Sequence, residues 1–424
     1  MALKTSHYKM WTKVAVIGAG ATGLVSAKYS LQNKYYVDIF EQTGSLGGNW
    51  VYNDSTTIDE NGIEVQASLY KDLITNGPKE LMEYSDFKFS ADIQESYVTY
   101  NHVLSYLRRY AEHFHIEKHI QYFTRVKSIT PVDGRKWAVV VQHIKTLTEK
   151  SMLYDVVFVC NGRFKSPFIP KIMGQNVFRG TQIHSRSFRV PEPYERQNVV
   201  VVGGHRSGIE ISTRIARCAK HVYLSCRNLP EMIKPPNLFV KPEISQLGKR
   251  QVIFTDGTVK ECEAIVYCTG YLYTCDFLSK KCGVQVENNG VAPVYKQIIN
   301  IDHPTMFFIG LPYASVGNTV FDLQVRFAIA ALRKTFTLPS KKDMLKEWES
   351  FLATKEKENV PKKHVHRLAN PQESEKYSTD LAITANITPI IPAYFKIYER
   401  VIKRNRAHYL YRYIDDERFL EIIP

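Results

Sequence analysis

One arrangement of residues occurs twice in this chain, and it constrains the fold more than any other feature. From Val14 to Glu41, VAVIGAGATGLVSAKYSLQNKYYVDIFE reads as an apolar strand, a glycine turn, a helix and a second strand. From Val199 to Arg227, VVVVGGHRSGIEISTRIARCAKHVYLSCR repeats that order. Each copy is followed by another apolar strand ending in glycine, DVVFVCNG at 155–162 and AIVYCTG at 264–270. This spacing predicts an α/β fold with two Rossmann-like dinucleotide-binding domains, the second inserted into the first.

The first glycine turn has the full spacing expected of a dinucleotide site. Gly18 allows a tight turn, Gly20 lets the backbone approach a pyrophosphate, and Gly23 lets helix and strand pack closely. The helix that begins here offers N–H groups and a partial positive charge to phosphates. Glu41 ends the second strand, where a carboxylate accepts hydrogen bonds from a ribose diol. The predicted site consists of Gly18, Ala19, Gly20, Ala21, Thr22, Gly23 and Glu41.

A glycine-rich segment, QTGSLGGNW, follows Glu41 directly. Gly48 and the glycines before it would let the backbone fold against a large flat cofactor, which Trp50 would cover. By itself this segment also fits a surface turn with one buried tryptophan. Because it follows an acid-terminated βαβ unit, it indicates FAD rather than NAD.

The second glycine turn differs from the first where a ligand would contact it. His205 stands at the position of Gly20, and a side chain there pushes a pyrophosphate away, although an imidazole beside Arg206 is itself able to bind phosphate oxygens. The second strand ends without an acid, and Arg227 there suits a 2′-phosphate, which favours NADPH over NADH. We interpret this turn as an altered NADPH site, and a purely structural turn is the alternative. Its residues are Gly203, His205, Arg206, Ser207 and Gly208.

The composition argues against several other classes of protein. The formal net charge is +14, from 56 Lys+Arg and 42 Asp+Glu, but the basic residues are scattered, so no nucleic-acid partner is predicted. No stretch approaches the roughly 20 apolar residues of a membrane-spanning helix, and MALKTSHYKMWTKVAVIG lacks the features of a signal peptide. The seven cysteines have irregular spacing, which fits reduced thiols rather than a zinc site. A cytoplasmic protein without a metal is predicted, and homo-oligomer formation is left open.

Over nearly its whole length the sequence resembles the flavin-containing monooxygenases. Besides the two turns, FRGTQIHSRSFR at 178–189 is similar to the family motif F-x-G-x-x-x-H-x-x-x-Y/F. LITNGPKELMEYSDFKF from Leu73 is similar to the segment that carries the active-site asparagine of the family. VYCTGY at 266–271 and FIGLPYASVGNTVFDLQVRF from Phe308 resemble its strand end and its closing helix. In length the chain is more similar to the compact, insect-type members, among which are pyrrolizidine alkaloid N-oxygenases.

The resemblance implies an FAD-containing monooxygenase that depends on NADPH and O2. In this family NADPH reduces the flavin, reduced flavin and O2 give a C4a-hydroperoxide, and a soft nitrogen or sulfur nucleophile takes its distal oxygen. The motif at 178–189 ends in Phe188-Arg189, whereas Baeyer–Villiger relatives typically end it in Trp-Pro, so nitrogen or sulfur oxygenation is expected. Baeyer–Villiger oxygenation of ketones and NADPH oxidation without an oxygenated product are the alternatives.

The resemblance also assigns individual residues. Asn76 matches the catalytic asparagine, whose amide both donates and accepts hydrogen bonds, and an ordinary Asn-Gly turn is the alternative. His184 is expected to be a structural histidine. The alternative for Val126 is an ordinary strand position. The alternative for Gln324 and Arg326, in the closing helix, is an exposed polar position on the helix surface. The residues expected to contact FAD or the nicotinamide are Asn49, Trp50, Thr75, Val126, Gln324 and Arg326.

We expect residues 1–165 to form the first part of the FAD domain and residues 166–284 the NADPH domain. Residues 285–424 then complete the FAD domain with C-terminal helices, and the charged segment from Leu338 is expected to be a surface helix with a linker. The cofactors should meet in the cleft between the domains, beyond the carboxyl ends of the strands.

Overall fold

The computed structural model describes residues 12–133, 136–228, 234–403 and 410–422. The first eleven residues, which belong to the segment predicted to lack a signal peptide, lie outside the described residues. The helices are α1 (Ala21–Gln32), α2 (Tyr100–His113), α3 (Arg206–Ile215), α4 (Asn318–Leu332), α5 (Lys341–Lys357), α6 (Pro371–Ala385) and α7 (Pro392–Lys403). The strands are β1 (Lys13–Ile17), β2 (Tyr36–Phe40), β3 (Ile120–Gln121), β4 (Thr124–Val132), β5 (Lys136–His143), β6 (Glu149–Tyr154), β7 (Val156–Val159), β8 (Ser166–Pro167), β9 (Thr181–His184), β10 (Asn198–Val202), β11 (His221–Ser225), β12 (Leu238–Lys241), β13 (Ile244–Leu247), β14 (Gln251–Phe254), β15 (Val259–Glu261), β16 (Ala264–Tyr267), β17 (Tyr271–Leu272), β18 (Gln285–Glu287), β19 (Gly290–Ala292), β20 (Val294–Tyr295), β21 (Ile299–Asn300), β22 (Met306–Phe308), β23 (Leu410–Tyr413) and β24 (Phe419–Ile422).

The larger sheet has seven strands in the order β20-β21-β22-β7-β1-β2-β3. The strands from β22 to β3 are parallel to one another, whereas β21 runs antiparallel to both of its neighbours. Residues 14–17 of β1 and all of β7 are buried, which is the pattern of central parallel strands covered on both faces. Helix α1 connects β1 to β2 and packs against α4. The largest group of buried apolar side chains surrounds this sheet.

The second sheet has five parallel strands in the order β12-β11-β10-β16-β9. Helix α3 connects β10 to β11, so the unit β10-α3-β11 repeats the unit β1-α1-β2. The two units also share their register. In the first, β1 and β2 pair from Lys13 opposite Tyr36 to Ile17 opposite Phe40. In the second, β10 and β11 pair from residue 198 opposite 221 to residue 202 opposite 225. Two further groups of buried apolar side chains contain alternate residues of β10, Val199 and Val201 in one and Val200 in the other.

The chain leaves the larger sheet after β7 and returns to it before β20. Strands β8 and β17 pair antiparallel where the chain passes between the two sheets, with Ser166 opposite Leu272 and Pro167 opposite Tyr271. All strands of the second sheet lie between these two positions, which confirms the predicted nested α/β fold. The domain boundaries given above, after residues 165 and 284, stay a prediction.

The other elements belong to the part of the molecule that contains the seven-stranded sheet, called here the larger part. Strands β4, β5 and β6, which follow β3 and precede β7 along the chain, form a separate antiparallel sheet. The segment from Leu338 contains α5, which begins after the capping hydroxyl of Ser340 and buries Met344 and Trp348. Within the described ranges, none of the helices combines the length and the apolar character needed to span a bilayer.

Candidate functional site

In the first glycine turn, the protein itself excludes a side chain at two of the three glycines. Gly18 has φ +102°, and a Cβ added there would lie 2.7 Å from the carbonyl oxygen of Cys160. A Cβ on Gly23 would lie 1.8 Å from the carbonyl oxygen of Gly18. On Gly20, the nearest atom to a Cβ would be the Cα of Gly48, at 3.6 Å, which is an ordinary contact. Packing therefore requires Gly18 and Gly23, while position 20 keeps open space on the side of the cleft.

Helix α1 presents its N-terminus to that space. Its first hydrogen bond runs from the Leu24 N–H to the Gly20 carbonyl, at 3.0 Å. The amides of Ala21 and Thr22 belong to the first turn, where N–H groups have no partner inside the helix, and both residues line the cleft. This is the arrangement that binds a phosphate.

Glu41 fastens the end of β2 to the turn. Its Oε2 accepts the Ala19 N–H at 2.9 Å, and its Oε1 accepts the Thr43 N–H and hydroxyl at 2.9 and 2.8 Å. Burial raises the pKa of this carboxyl, and the hydrogen bonds from Ala19 and Thr43 act in the opposite direction. Oε1 therefore already accepts two hydrogen bonds, whereas Oε2 accepts one and retains a lone pair for a hydroxyl of a ribose diol.

The segment Gly48–Trp50 forms a short 3-10 helix beside the turn. Gly48 has φ +56°, and a Cβ on it would lie 3.0 Å from the Cα of Gly20. The Asn49 side-chain oxygen accepts the Ser68 N–H at 3.0 Å and its hydroxyl at 3.1 Å. Trp50 is half-buried and packs against the cores of both sheets. Two glycine backbones thus face each other at the position predicted for a flat cofactor.

Asn76 lies at the end of a loop that follows β2 and the Gly48–Trp50 segment. The preceding Thr75 is buried, donates its N–H to the Val98 carbonyl at 2.8 Å and accepts the Val98 N–H on its hydroxyl at 3.1 Å. The Asn76 carbonyl accepts a hydrogen bond from Arg206 Nη1 at 2.8 Å. Asn76 Oδ1 is buried and has no hydrogen-bond partner among the described residues. A buried amide oxygen in this state is costly, so a ligand or an ordered water in the cleft is expected to supply its donor.

The second turn repeats the backbone of the first. Gly203 has φ +113°, and a Cβ on it would lie 2.5 Å from the Cys268 carbonyl oxygen, while a Cβ on Gly208 would lie 1.7 Å from the Gly203 carbonyl oxygen. His205 precedes α3 with φ −85° and ψ −175°, close to the −81° and −173° of Gly20. His205 is therefore accommodated without a change of the turn.

The His205 side chain is exposed, lines the cleft and lies near Arg367. Partial desolvation, together with the positive charge of Arg367, lowers the pKa of His205 from its ordinary value. This result modifies the expectation from the sequence, because the imidazole is neutral near pH 7 in the protein without a phosphate. Its positive charge becomes available at lower pH, or when a bound anion raises its pKa.

The residues at the end of β11 provide no carboxylate for a ribose diol. Cys226 occupies the position equivalent to Glu41, and its Cβ lies 2.7 Å from where a Cβ on Gly204 would be. The adjacent Arg227 is 77% exposed, and its Nε donates to Glu243 Oε1 at 2.8 Å. A phosphate at Arg227 would compete with the Glu243 carboxylate for the guanidinium. The existing ion pair is exposed and therefore weak in water.

Both turns open onto one cleft of about 2750 Å³, well above the roughly 300–1,000 Å³ of a single-ligand pocket. The predicted residues that line it are Gly18, Gly20, Ala21, Thr22, Glu41, Gly48, Asn49, Trp50, Thr75, Asn76, Val126, Gly203, His205, Arg206, Ser207 and Arg227. The predicted residues behind its wall are Ala19, Gly23, Gly208 and Gln324. The first three of these support the turns from inside, through the contacts described above.

The two predicted residues of the closing helix α4 do not reach the cleft. Gln324 is fully buried, accepts the Gly310 N–H at 2.9 Å and donates to the Tyr377 hydroxyl at 2.8 Å. Arg326 donates to the Asp322 carboxylate at 2.8 Å and to the main-chain carbonyl of Thr388, in the loop between α6 and α7, at 2.6 Å. The expected contact with flavin or nicotinamide disagrees with this placement, since both side chains are bound within the protein. Gln324 acts on the cleft through Gly310, which lines it.

The motif at 178–189 joins the second sheet to the rest of the molecule. His184 Nε2 lies 3.0 Å from the Gly270 carbonyl oxygen, its Nδ1 accepts the Arg186 N–H at 3.1 Å, and burial lowers its pKa to about 4. Arg189 is buried and donates to the carbonyls of Asn53 and Ser55, at 2.6 and 3.0 Å. These contacts fit a structural role for the motif.

The cleft also contains a basic group that no sequence motif predicts. The Arg163 guanidinium lies 3.7 Å from the ring centroid of Tyr313, whose hydroxyl lies 2.8 Å from His364 Nδ1. Arg367 lines the same wall, near His205. These residues come from separate segments, so no local motif contains them; the run PKKHVHR at 361–367 was the one sign of them in the sequence.

The residues present fit two dinucleotides. In the first turn the open faces of Gly20 and Gly48, the amides of α1 and the carboxylate of Glu41 suit a pyrophosphate and a ribose. In the second turn the amides of α3 and the guanidinium of Arg227 suit a phosphorylated dinucleotide. Among the described residues, no cluster of three or more His, Cys, Asp or Glu side chains suits a metal ion.

Comparisons with known proteins agree with this geometry. The profile of the FMO-like family, flavin-binding monooxygenase-like, matches residues 11–229 and 227–400. Flavin-containing monooxygenase FMO GS-OX5 of Arabidopsis thaliana is 34% identical over 378 residues, which are 85% of this chain and 82% of that protein. The structure of S-allyl-L-cysteine S-oxygenase from Allium sativum is 31% identical with a TM-score of 0.86, covering 93% of this chain and 92% of that one. Cyclohexanone monooxygenase, at 15% identity and a TM-score of 0.62, covers 88% of this chain and 98% of that one, and shares the fold alone.

Proposed function

This chain belongs to the flavin-binding monooxygenase-like family, and we propose that it uses FAD and NADPH to transfer one oxygen atom of O2 to a soft nitrogen or sulfur nucleophile. FAD and NADPH are the cofactors of this family. The observation that carries the proposal is Asn76 Oδ1, which is buried without a partner among the described residues and belongs to the cleft onto which both turns open.

The first site would bind FAD through the turn that begins at Gly18. The N-terminus of α1 would hold the pyrophosphate, Glu41 would accept hydrogen bonds from the ribose, and the Gly48–Trp50 segment would cover the flavin. The second site would bind NADPH through the N-terminus of α3, with Arg227 at the 2′-phosphate. When bound, the two cofactors would supply the reduction and the oxygen chemistry.

The chain itself then has to orient the reactants and exclude water. Asn76 is the residue that we assign to the reaction centre, because its unsatisfied Oδ1 accepts a hydrogen bond there and its Nδ2 donates one. Thr75 fixes its backbone to Val98, and Arg206 fixes its carbonyl. With two fixed main-chain contacts, the side chain is preorganised for a reacting group.

Sulfur and nitrogen nucleophiles are both compatible with this site. Similarity to a protein named as an S-allyl-L-cysteine S-oxygenase supports sulfur, whereas the sequence resemblance to alkaloid N-oxygenases supports nitrogen. A small molecule and O2 are the proposed partners, and a cytoplasmic location stays a prediction, as does any homo-oligomer.

Product analysis tests the proposal and separates it from its alternatives. Purified protein reconstituted with FAD is incubated with NADPH, O2 and a panel of sulfides, tertiary amines and ketones, and NADPH consumption is compared with product mass. An N- or S-oxide is expected. Esters from ketones would assign Baeyer–Villiger activity, and hydrogen peroxide as the sole product would assign an NADPH oxidase.

Asn76→Asp tests the assignment of the reaction centre. The carboxylate has no N–H donor and repels developing negative charge, so we expect FAD to stay bound while oxygenated product per NADPH falls by roughly a hundredfold. Asn288→Asp makes the same chemical change at an exposed position on the cleft and serves as the control. Equal yields from Asn76→Asp and Asn288→Asp would remove Asn76 from the reaction.

A further inference from the structure

One face of α3 is bound along its length to the loop that ends at Asn76. Arg206, Glu210 and Arg214 follow one another at intervals of four residues, so they share a face of the helix. Arg206 Nη1 donates to the Asn76 carbonyl at 2.8 Å, and Glu210 Oε2 accepts the Tyr70 hydroxyl at 2.7 Å. Arg214 Nη2 donates to the carbonyl of residue 72 at 2.8 Å, and its guanidinium lies 4.6 Å from the Tyr70 ring centroid.

The loop itself connects the two parts of the molecule. Leu69, Tyr70 and Leu73 belong to the apolar core that contains Ile211 and Ile215 of α3, although they precede the second sheet by more than a hundred residues. At its other end the loop is fastened to the larger part of the molecule through the paired hydrogen bonds between residues 75 and 98. Asn76 follows immediately, so it lies where the two parts meet.

Arg206 occupies a special position on this face, because it is the first residue of α3. The neighbouring amides are those that would face the pyrophosphate in the second turn, so a bound anion lies within the influence of the Arg206 charge. A guanidinium has five N–H donors in a fixed plane. A single guanidinium is therefore able to interact with both the Asn76 carbonyl and the negative charge of a phosphate at the N-terminus of α3.

We infer that Arg206 is a positioning residue that couples occupancy of the second turn to the placement of Asn76. The inference rests on the proposed function, in that the second turn binds NADPH. A bound phosphate restrains the guanidinium, the guanidinium restrains the Asn76 carbonyl, and the Asn76 amide is thereby held at the reaction centre. Coupling between two sites is reciprocal for binding, so ordering of the loop also strengthens binding of the dinucleotide.

Hydrogen exchange on the FAD-loaded enzyme measures this coupling without turnover. Peptides covering residues 70–80 are followed with and without saturating NADP⁺ in the parent protein, Arg206→Ala, Arg206→Lys and Arg214→Ala. In the parent protein, NADP⁺ should slow exchange near Asn76 by roughly fivefold or more. Arg206→Ala should lose this NADP⁺-dependent slowing, Arg206→Lys should recover part of it, and Arg214→Ala should retain it with a generally faster loop.

Turnover at saturating NADPH gives the second measurement. Arg206→Ala should yield roughly fivefold less oxygenated product per NADPH, with hydrogen peroxide making up the difference. A raised KM for NADPH with parental product yield at saturation would make Arg206 a phosphate ligand alone and would overturn the inference. NADP⁺-dependent slowing of exchange that is unchanged in Arg206→Ala would also overturn the inference. So would an Arg206→Ala protein that binds NADP⁺ too weakly to be saturated. A parent enzyme that forms no oxygenated product would instead contradict the proposed function, and the exchange measurement would still decide the coupling.

Discussion

The two glycine turns of this molecule share a backbone and differ in almost everything that a ligand would contact. In both, the first glycine lies against the carbonyl of a cysteine that directly follows a neighbouring strand, Cys160 after β7 or Cys268 after β16. In both, the N–H of this glycine donates to the last residue of the second strand at 2.9 Å, and the first bond of the helix measures 3.0 Å. The turn is therefore determined by contacts inside the protein.

Position 20 tolerates a different residue in the second turn because no such contact restrains it. A Cβ at position 20 meets its nearest neighbour at an ordinary distance, and the equivalent position carries His205 with nearly the same backbone angles. Glu41 is replaced by Cys226, and the following residue is Arg227. The presence of Gly203 and Gly208 therefore indicates that the fold of the turn is preserved. The residues at positions 205 and 227 indicate which dinucleotide the turn recognises.

The largest expected effects come from the glycines that packing requires. In Gly23→Ala and Gly208→Ala the new Cβ would lie 1.8 and 1.7 Å from a main-chain carbonyl oxygen, so the turn must open. We expect Gly23→Ala to lower FAD affinity at least a hundredfold, ~2.8 kcal/mol. Gly208→Ala should keep FAD and lose NADP⁺ to a similar extent. Flavin absorbance per chain and NADP⁺ titration measure the two effects.

Gly20→Ala is the matched control, since its Cβ has room in the protein. This variant should retain the thermal stability of the parent apoprotein while FAD binds more weakly. Loss of FAD from Gly208→Ala as well would show that the two turns do not act independently, and the comparison between them would fail.

The parts of this architecture that are local in sequence could be predicted from it. Buried runs such as Val14–Ile17 and the glycine spacing determine a βαβ unit within some thirty residues, and the nested order followed from finding two such units. The residues that flank Asn76 resemble the family segment and so predict its role, and the structure adds its unsatisfied oxygen.

The rest depends on contacts between distant segments. Gln324 was expected at a cofactor because of its helix, but which side of α4 it occupies is decided by Gly310 and Tyr377. The pairing of Arg163 with Tyr313 joins strand ends far apart in the chain. The lowered pKa of His205 likewise depends on partial desolvation and on Arg367, which no motif connects to the turn.

A smaller effect is expected at the residue that distinguishes the two ribose positions. Arg227→Ala should weaken NADPH binding about tenfold, ~1.4 kcal/mol, and leave NADH nearly unchanged, because only NADPH carries a 2′-phosphate. Removing the competing carboxylate in Glu243→Gln should tighten NADPH binding about twofold, consistent with the small worth of an exposed ion pair. Arg217→Ala removes an exposed charge of the same domain away from the cleft and serves as the control. Equal losses for NADPH and NADH would place the 2′-phosphate elsewhere.

The smallest effect is expected at His205, where the second turn departs most visibly from the first. Its pKa is lowered from the ordinary ~6.5 by partial desolvation and by Arg367, so the imidazole of the free protein is neutral at pH 7.5. A phosphate beside it favours the protonated form, hence binding takes up a proton and affinity rises as pH falls toward the lowered pKa, while remaining flat above the pKa of the bound form. We expect NADP⁺ to bind about threefold more tightly at pH 5.5 than at pH 7.5 through this group. The 2′-phosphate of the ligand itself titrates near ~6. The ratio of the NADP⁺ affinity at pH 5.5 to that at pH 7.5 is therefore measured in the parent protein and divided by the same ratio in His205→Gly. This quotient cancels the titration of the ligand. A quotient of one would mean that the imidazole takes no part in binding, and the second turn would then differ from the first in sequence but not in how it holds a pyrophosphate.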